Sequence, residues 1–171
     1  ILMTPKSLLR HKRVISRLDE MGPGQTFHRV LWDDAQSRTG EKIKLAADNK
    51  IRRVVMCSGK IYYDLYEARE AAGIDDVYLL RVEQLYPFPA RALIQELSRF
   101  PKAEMVWAQE EPKNMGAWSF IEPGLEWVLD QVKAKHARPR YAGRAASAAT
   151  ATGLAKKRAE EQKAVLDQAL L

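Results

Sequence analysis

The chain has 171 residues, of which 46% are hydrophobic and 29% are charged, a composition that is typical of globular domains and excludes a disordered or fibrous protein. Its apolar runs are far shorter than the roughly 20 residues that a membrane helix needs, so no membrane partner is expected. The net charge of +6 comes from basic residues near both ends, but no aromatic ladder or finger-like metal spacing accompanies them, and no nucleic-acid partner is expected.

The first 50 residues carry weak structural signals. Residues 1–3 are apolar and typical of a strand entered in mid-chain rather than of a signal peptide, which indicates that further sequence precedes them. Thr4 and Pro5 favour a helix start, and a helix is expected through about Ser16, with its basic residues on a solvated face. Residues 27–32 are predicted to form a short strand, and residues 35–50 a polar connection.

From residue 53 onward, strands and helices alternate along the sequence. Strands are predicted at residues 54–57, 77–82 and 104–108, and helices between them at residues 61–72 and around residues 93–97, with Gly73 as the cap of the first helix. This alternation predicts an α/β fold, a three-layer sandwich with a mostly parallel sheet and helices on both faces.

The remaining sequence completes this domain and adds a tail. A helix is predicted over residues 117–132, interrupted and restarted at Pro123, followed by an edge strand at residues 139–144. The domain is therefore expected to span residues 1–144, with residues 145–171 forming an Ala-rich segment and an amphipathic helix that packs on the body or on a partner.

Cysteine and histidine chemistry is not indicated. Cys57 is the single cysteine, so an internal disulfide is excluded and a reducing compartment, the bacterial cytoplasm or the mitochondrial matrix, is expected. It ends an apolar strand, which favours a buried thiol over a nucleophile. The three histidines have no cysteine or carboxylate at metal-ligand spacing, so no metal site is expected.

Two segments are candidates for binding an anion. Lys60 follows a glycine in the turn between a strand and a helix, and Lys6 and Ser7 lie at the start of the first predicted helix, where free N–H groups and the helix dipole attract negative charge. Ordinary explanations stay open for both: a tight turn with a solvated lysine in the first, and helix capping in the second.

The densest group of chemically distinct residues lies at positions 110–118. It follows the carboxyl end of a predicted strand, the edge where α/β proteins place ligands and partners, and we expect it to form a subunit interface. Its members are Glu110, Glu111, Lys113, Asn114, Met115 and Trp118. Catalysis by the adjacent acids would need a pocket and a partner base that the sequence does not show, so no catalytic residue is predicted.

Several segments together resemble a known family. The runs are MTPKSLLR at residues 3–10, CSGK at 57–60, RVEQLYPFP at 81–89, EEPKNMGAW at 110–118 and RPRYAGR at 138–144. They resemble, in this order, the C-terminal end of the 2-oxoglutarate dehydrogenase family. The resemblance implies a fold like the C-terminal domain of transketolase and a homodimeric subunit.

The resemblance also implies what the whole enzyme does. It would decarboxylate 2-oxoglutarate oxidatively with thiamine diphosphate and magnesium and pass the succinyl group to a lipoyl carrier on the succinyltransferase component. The Gly-Asp-Gly pattern of thiamine diphosphate binding is absent from this chain, so no cofactor is expected to bind here and the chain alone is expected to be inactive.

A regulatory role is the alternative that the resemblance suggests. Some family members respond to acetyl-coenzyme A or adenine nucleotides such as AMP, and these anionic effectors would suit Lys6, Ser7 and Lys60. On this alternative, the domain is a nucleotide- or acetyl-coenzyme-A-sensing module.

Overall fold

The structure is a computed structural model that describes residues 1, 3–37 and 41–171. For Ser37, only the backbone is described. A five-stranded sheet lies at its centre, in the order β1-β3-β2-β4-β5. The strands are β1 (Val30–Leu31), β2 (Arg53–Cys57), β3 (Val77–Val82), β4 (Glu104–Pro112) and β5 (Arg140–Arg144). All neighbours pair in parallel except β1, which runs antiparallel to β3.

Helices cover both faces of this sheet. They are α1 (Asp34–Ser37), α2 (Ile61–Ala71), α3 (Ala90–Leu97), α4 (Trp118–Gln131) and α5 (Ala155–Leu170). Side chains alternate along β2, so that Val54 and Met56 enter the core beneath α3 and α4, whereas Val55 and Cys57 enter the core beneath α2 and α5. The predicted three-layer α/β architecture is confirmed.

The predicted elements from residue 53 onward are confirmed with two changes. Gly73 caps α2 with a φ of 64°, a backbone conformation that glycine adopts without steric cost. The strand β4 is longer than predicted and ends at Pro112 rather than at residue 108. The helix α4 passes through Pro123 without the predicted restart. Pro123 is exposed and removes one backbone donor in the second turn of the helix, while Ile121 and Leu125 remain buried.

The predictions for the first 34 residues were largely wrong. Ile1 and Met3 are not in a strand, and Leu2 and residues 38–40 lie outside the described residues. Instead of a helix through Ser16, the segment forms one 3-10 turn at Lys6–Leu8, and the predicted strand at residues 27–32 is reduced to β1. A lone helix of about a dozen residues is marginal in water, and this one has no apolar face packed on the body.

A buried ion pair completes the outer edge of β3. Asp33 and Arg69 have fully buried side chains and form a two-armed ion pair, with 2.9 Å between Arg69 Nη2 and Asp33 Oδ1. Asp33 accepts the N–H of Leu79 at 2.7 Å, and Arg69 donates to the carbonyl oxygen of Val77 at 2.9 Å. Because β1 pairs with β3 only near Val82, the ion pair supplies the hydrogen bonds that a longer neighbouring strand would provide.

The C-terminal helix packs on the body of the same domain. Val165, Ala169 and Leu170 are buried in the core that α2 also covers. Three arginines at the amino ends of the strands bind the last carbonyl oxygens of α5, which have no partner within the helix. Arg52 donates to Leu170 at 2.7 Å, Arg53 to Ala169 at 2.9 Å and Arg140 to Gln168 at 2.8 Å.

We expect the substitution Leu170→Ala to lower the free energy of unfolding by about 2 kcal/mol, because it removes buried apolar contacts at the end of α5. Urea denaturation followed by circular dichroism measures the change. The matched control is Leu154→Ala at the other end of the helix, where the side chain is exposed. Equal losses in the two variants would contradict the packing of α5 described here.

Candidate functional site

The carboxyl ends of β2 and β4 form the crevice where α/β folds place their ligands. The chain leaves β2 toward β3 on one side and leaves β4 toward β5 on the other, which makes this pair of strands the topological switch point. Lys60 follows β2, and Glu110 lies on β4. Their side chains form an ion pair across the crevice, with 2.6 Å between Lys60 Nζ and Glu110 Oε1.

Lys60 is therefore already paired with carboxylates. Its ammonium group also lies 3.4 Å from Asp64 Oδ2, one turn into α2. Burial by itself would lower the pKa of Lys60, but the hydrogen bond and charge of Glu110 outweigh burial and raise it. An anion binding here would have to compete with Glu110 for the lysine.

The structure does not bring the three predicted effector residues into one cavity. Lys6 and Ser7, with Arg10, line a surface depression of about 680 Å³. Lys60 lines a different one, of about 410 Å³, together with Arg158 of α5. Effector binding by Lys6, Ser7 and Lys60 stays a prediction.

A buried glutamine, Gln109, organises the segment that follows it. Its Oε1 accepts hydrogen bonds from Trp107 Nε1 and from the backbone N–H of Trp118, both at 3.0 Å. Its Nε2 lies 2.7 Å from the carbonyl oxygen of Met115 and within 3.3 Å of those of Glu111 and Pro112. One side chain thus holds both ends of the β4–α4 loop, residues 113–117.

A glycine allows this loop to close on Gln109. Gly116 has a φ of 68°, and a Cβ atom there would lie 2.9 Å from Gln109 Nε2 and 3.0 Å from Glu111 Cβ. Any other residue would combine a rare backbone conformation with this clash. The loop therefore has one tightly determined shape.

The Ala-rich segment, residues 145–153, is tied to the same edge of the sheet. Asn114 and Ser147 form two hydrogen bonds of 3.0 Å, one in each direction between an amide side chain and the backbone. Arg144 binds the carbonyl oxygen of Thr150 at 3.1 Å and pairs with Glu161 of α5 at 3.0 Å. The segment thereby connects the β4–α4 loop to the C-terminal helix.

The predicted interface residues differ in accessibility. Glu111, Lys113 and Asn114 are exposed, and Glu110 and Met115 are half-buried. The prediction that Trp118 lies on an interface surface is corrected. Only 5% of Trp118 is exposed, and the centre of its ring lies 5.2 Å from the centre of the Tyr141 ring. Trp118 therefore supplies contact area to the core of this chain and not to a surface.

Two exposed aromatic residues extend the candidate surface. Phe120 and Trp127 are about half exposed, at 50% and 51%, and lie seven residues apart on the outer face of α4. A spacing of seven places two residues on one face of a helix. We define the edge surface as Glu111, Lys113, Asn114, Phe120 and Trp127.

Comparison with known proteins identifies the family. A family model described as 2-oxoglutarate dehydrogenase C-terminal matches residues 15–170. The chain belongs to this family. The resemblance that the sequence motifs indicated is confirmed.

Individual relatives agree with the family assignment. The 2-oxoglutarate dehydrogenase E1 components of Brucella anthropi and Brucella ovis are each 69% identical to the chain over 170 residues, which is 99% of this chain and 17% of each relative. The protein of the same name from Brucella abortus is 68% identical over the same coverage. By their name these relatives are oxidoreductases, and the chain corresponds to about a sixth of their length.

Several features of this family member were missed from sequence. Gln109 could have been suspected, because it is a polar residue directly after the apolar core of β4, and the seven-residue spacing of Phe120 and Trp127 was also visible. The pairs Lys60–Glu110 and Asp33–Arg69 join residues 50 and 36 positions apart. No pattern within a short stretch of sequence predicts such pairs.

The buried-thiol prediction for Cys57 is confirmed. Burial raises the pKa of its thiol to about 12. We expect no reaction of the native protein with Ellman's reagent at pH 8 and full reaction after unfolding in urea. Because the native state keeps a proton that the unfolded state loses above about pH 8.5, stability should fall as pH rises from there toward 12, by at most about 1.4 kcal/mol per pH unit for this group.

The matched control for this prediction is Cys57→Ala. The variant should show a shallower loss of stability with rising pH, while buried tyrosines such as Tyr62, whose pKa burial also raises, keep part of the slope. Rapid labelling of native Cys57 at pH 8 would contradict the prediction.

Proposed function

We propose that this chain is the C-terminal structural and dimer-interface domain of a 2-oxoglutarate dehydrogenase, with a transketolase-like C-terminal fold. The match of the family model to residues 15–170 carries the proposal. The full-length enzyme would decarboxylate 2-oxoglutarate oxidatively with thiamine diphosphate and magnesium and transfer the succinyl group to the lipoyl carrier of a succinyltransferase component. Since the relatives are bacterial, we propose a role in the citric acid cycle of a bacterial cytoplasm.

The residues that the structure describes offer no site that fits the cofactor. Within residues 1, 3–37 and 41–171, no group of three or more His, Cys, Asp and Glu side chains could hold a metal ion, and the diphosphate-binding Gly-Asp-Gly pattern is absent. The proposal therefore assigns thiamine diphosphate, magnesium and the chemical steps to the part of the enzyme outside this chain.

None of the helices that the structure describes is long and apolar enough to cross a bilayer.

The edge surface supports the interface role. Its loop is held in one shape by Gln109 and Gly116, so little conformational entropy would be lost when a partner binds. Phe120 and Trp127 offer exposed aromatic area, and Lys113 and Glu111 offer charges that can set the register of a second subunit. The proposed partner is a second copy of the full-length subunit.

The assignment to this enzyme is tested by activity. The full-length subunit carrying this sequence should turn over 2-oxoglutarate with thiamine diphosphate and magnesium, and the 171-residue chain alone should not. Turnover by the chain alone would refute the assignment of the chemistry to the rest of the enzyme.

We expect the double substitution Lys113→Glu and Phe120→Ser to weaken dimerisation of the full-length subunit by about tenfold or more, because it reverses a charge and removes an aromatic contact. Size-exclusion chromatography with light scattering over a dilution series measures the dimer dissociation constant. The control is Lys102→Glu, which reverses an exposed lysine just before β4, at the opposite end of that strand. An unchanged dissociation constant would remove the edge surface from the interface.

A regulatory role is the second candidate. The depression lined by Lys6, Ser7 and Arg10 is basic and open, which suits the phosphate groups of acetyl-coenzyme A or AMP. Titration calorimetry of the full-length subunit with each compound tests it, with Lys6→Glu expected to abolish binding. Since Lys60 is paired with Glu110, Lys60→Gln should change the affinity little if the effector binds at Lys6. Absence of heat at millimolar ligand would refute this role.

A further inference from the structure

The first 27 residues expose an unusual amount of apolar surface. None of the described residues before Val30 is buried, although large apolar side chains recur throughout the segment. Met3, Leu9, Leu18, Met21 and Phe27 are between 65% and 89% exposed. Segments that stay disordered are poor in such residues, because a segment with few apolar side chains cannot bury enough apolar surface to offset the entropy lost on ordering. The number of large apolar side chains in this segment is typical of a segment whose apolar surface is covered by a partner.

Polar contacts determine how this segment runs across the domain. Arg13 pairs with Glu70 of α2 at 2.5 Å and with Glu41 at 3.3 Å, and its guanidinium lies 4.7 Å from the centre of the Tyr66 ring. Two residues beyond the other end of the segment, the carbonyl oxygen of Arg29 accepts the N–H groups of the two residues that follow β3, at 2.9 and 3.1 Å. The segment is thus attached through charges while its apolar side chains face solvent, the reverse of an ordinary surface segment.

The length of the full-length relatives bears on what could cover this surface. The family model begins only at Ile15, whereas the similarity to the full-length relatives extends over 170 of the 171 residues. The chain spans 17% of the length of those relatives, so a subunit of their length would have most of its residues outside this chain. Exposed apolar patches larger than isolated residues mark sites of protein contact.

We propose that residues 1–27 form an interdomain strap, whose apolar side chains pack against the remainder of the full-length subunit. This inference rests on the proposed function, because it requires the chain to be part of a longer subunit. A partner joined to the same polypeptide has an effective concentration in the millimolar range, so modest apolar contacts suffice to keep the strap covered. The strap then sets how the C-terminal domain is oriented against the rest of the enzyme.

Hydrogen exchange detected by mass spectrometry tests the strap. Peptides from residues 4–27 are compared between the full-length subunit and the 171-residue chain. We expect their amides to exchange about tenfold or more slowly in the full-length subunit, since packing must open before exchange. Peptides from residues 145–153, whose contacts lie within this domain, should exchange equally in both.

A pair of substitutions separates strap packing from folding. Leu18→Ser with Met21→Ser should restore fast exchange to the strap in the full-length subunit, and should leave the melting temperature of the 171-residue chain unchanged because both side chains are exposed there. Leu154→Ser, another exposed leucine, is the matched control and should leave strap exchange slow.

The outcomes distinguish the strap from the proposed function. Equal exchange of residues 4–27 in both proteins, with the full-length subunit active on 2-oxoglutarate, overturns the strap and leaves the proposed function standing. Protection that arises in the 171-residue chain as its concentration is raised assigns the surface to a second copy and also overturns the strap. Protection in a full-length subunit without decarboxylase activity supports the strap and contradicts the proposed function.

Discussion

The substitution Arg69→Met is expected to lower the free energy of unfolding by about 3 to 5 kcal/mol, the usual cost of leaving one member of a buried ion pair without its partner. Asp33 would remain in a fully buried position without the guanidinium that pairs with it, and the carbonyl oxygen of Val77 would lose its donor. The edge of β3 depends on both groups. Urea denaturation monitored by tryptophan fluorescence measures the change.

A surface arginine and a double variant provide the controls for this prediction. Arg138→Met removes an arginine that is 83% exposed and pairs with Glu126 at 3.3 Å, and it should cost no more than about 1 kcal/mol. Combining Arg69→Met with Asp33→Leu removes both charges and should cost less than the sum of the two single variants. A loss below about 1 kcal/mol for Arg69→Met would contradict the buried pair.

The substitution Gln109→Leu is expected to cost about 3 to 5 kcal/mol, because two buried N–H groups and several carbonyl oxygens lose their partner at once. The N–H groups are those of the Trp107 ring and of the Trp118 backbone. The side chain has nearly the same size, so the loss reports hydrogen bonding more than volume. We also expect faster proteolytic cleavage within residues 113–117, since the loop loses the contact with Met115 that closes it.

The matched control is Gln131→Leu, at the exposed end of α4, where the amide donates a hydrogen bond to Asp130 at 3.3 Å. It should change stability by less than about 0.5 kcal/mol. If Gln109→Leu left both stability and cleavage unchanged, Gln109 would not be the residue that shapes the edge surface, and the preformed interface loop would lose its support.

The two predictions concern opposite sides of the sheet and different parts of the function. The pair of Asp33 and Arg69 maintains the β3 edge next to the segment that leads from the strap, whereas Gln109 shapes the loop that we propose contacts a second subunit. The hydrogen bonds given above for the two sites involve different residues, so their effects on stability should add.

Much of the fold could be predicted because its elements are locally encoded. The strand β3 at residues 77–82 and the helix α2 after Gly59 carry clear apolar periodicity with glycine punctuation, and both form as predicted. The first segment failed for the opposite reason. Its apolar residues have helical spacing, but no part of the described chain covers them, and spacing alone cannot hold a helix in water.

The candidate site was located from sequence only in outline. The run at residues 110–118 was recognised as unusual, and its exposed members Lys113 and Asn114 do lie at the carboxyl edge of the sheet. The burial of Trp118 could not be foreseen, since a tryptophan suits a core and an interface equally well. Which of the two it enters depends on the position of Tyr141, 23 residues further on.

The sequence by itself determined the family, the order of the strands and helices from residue 53 onward and the burial of Cys57, because these follow from motifs and periodicities within short stretches of chain. Only the tertiary structure decided that Lys60 is paired with Glu110, that Asp33 and Arg69 complete the edge of β3, and that three arginines bind the end of α5. These contacts join residues between 28 and 118 positions apart. Their formation depends on how the sheet and helices pack together. Hydrogen bonds and ion pairs between residues so far apart in sequence produce no periodic pattern from which they could be predicted.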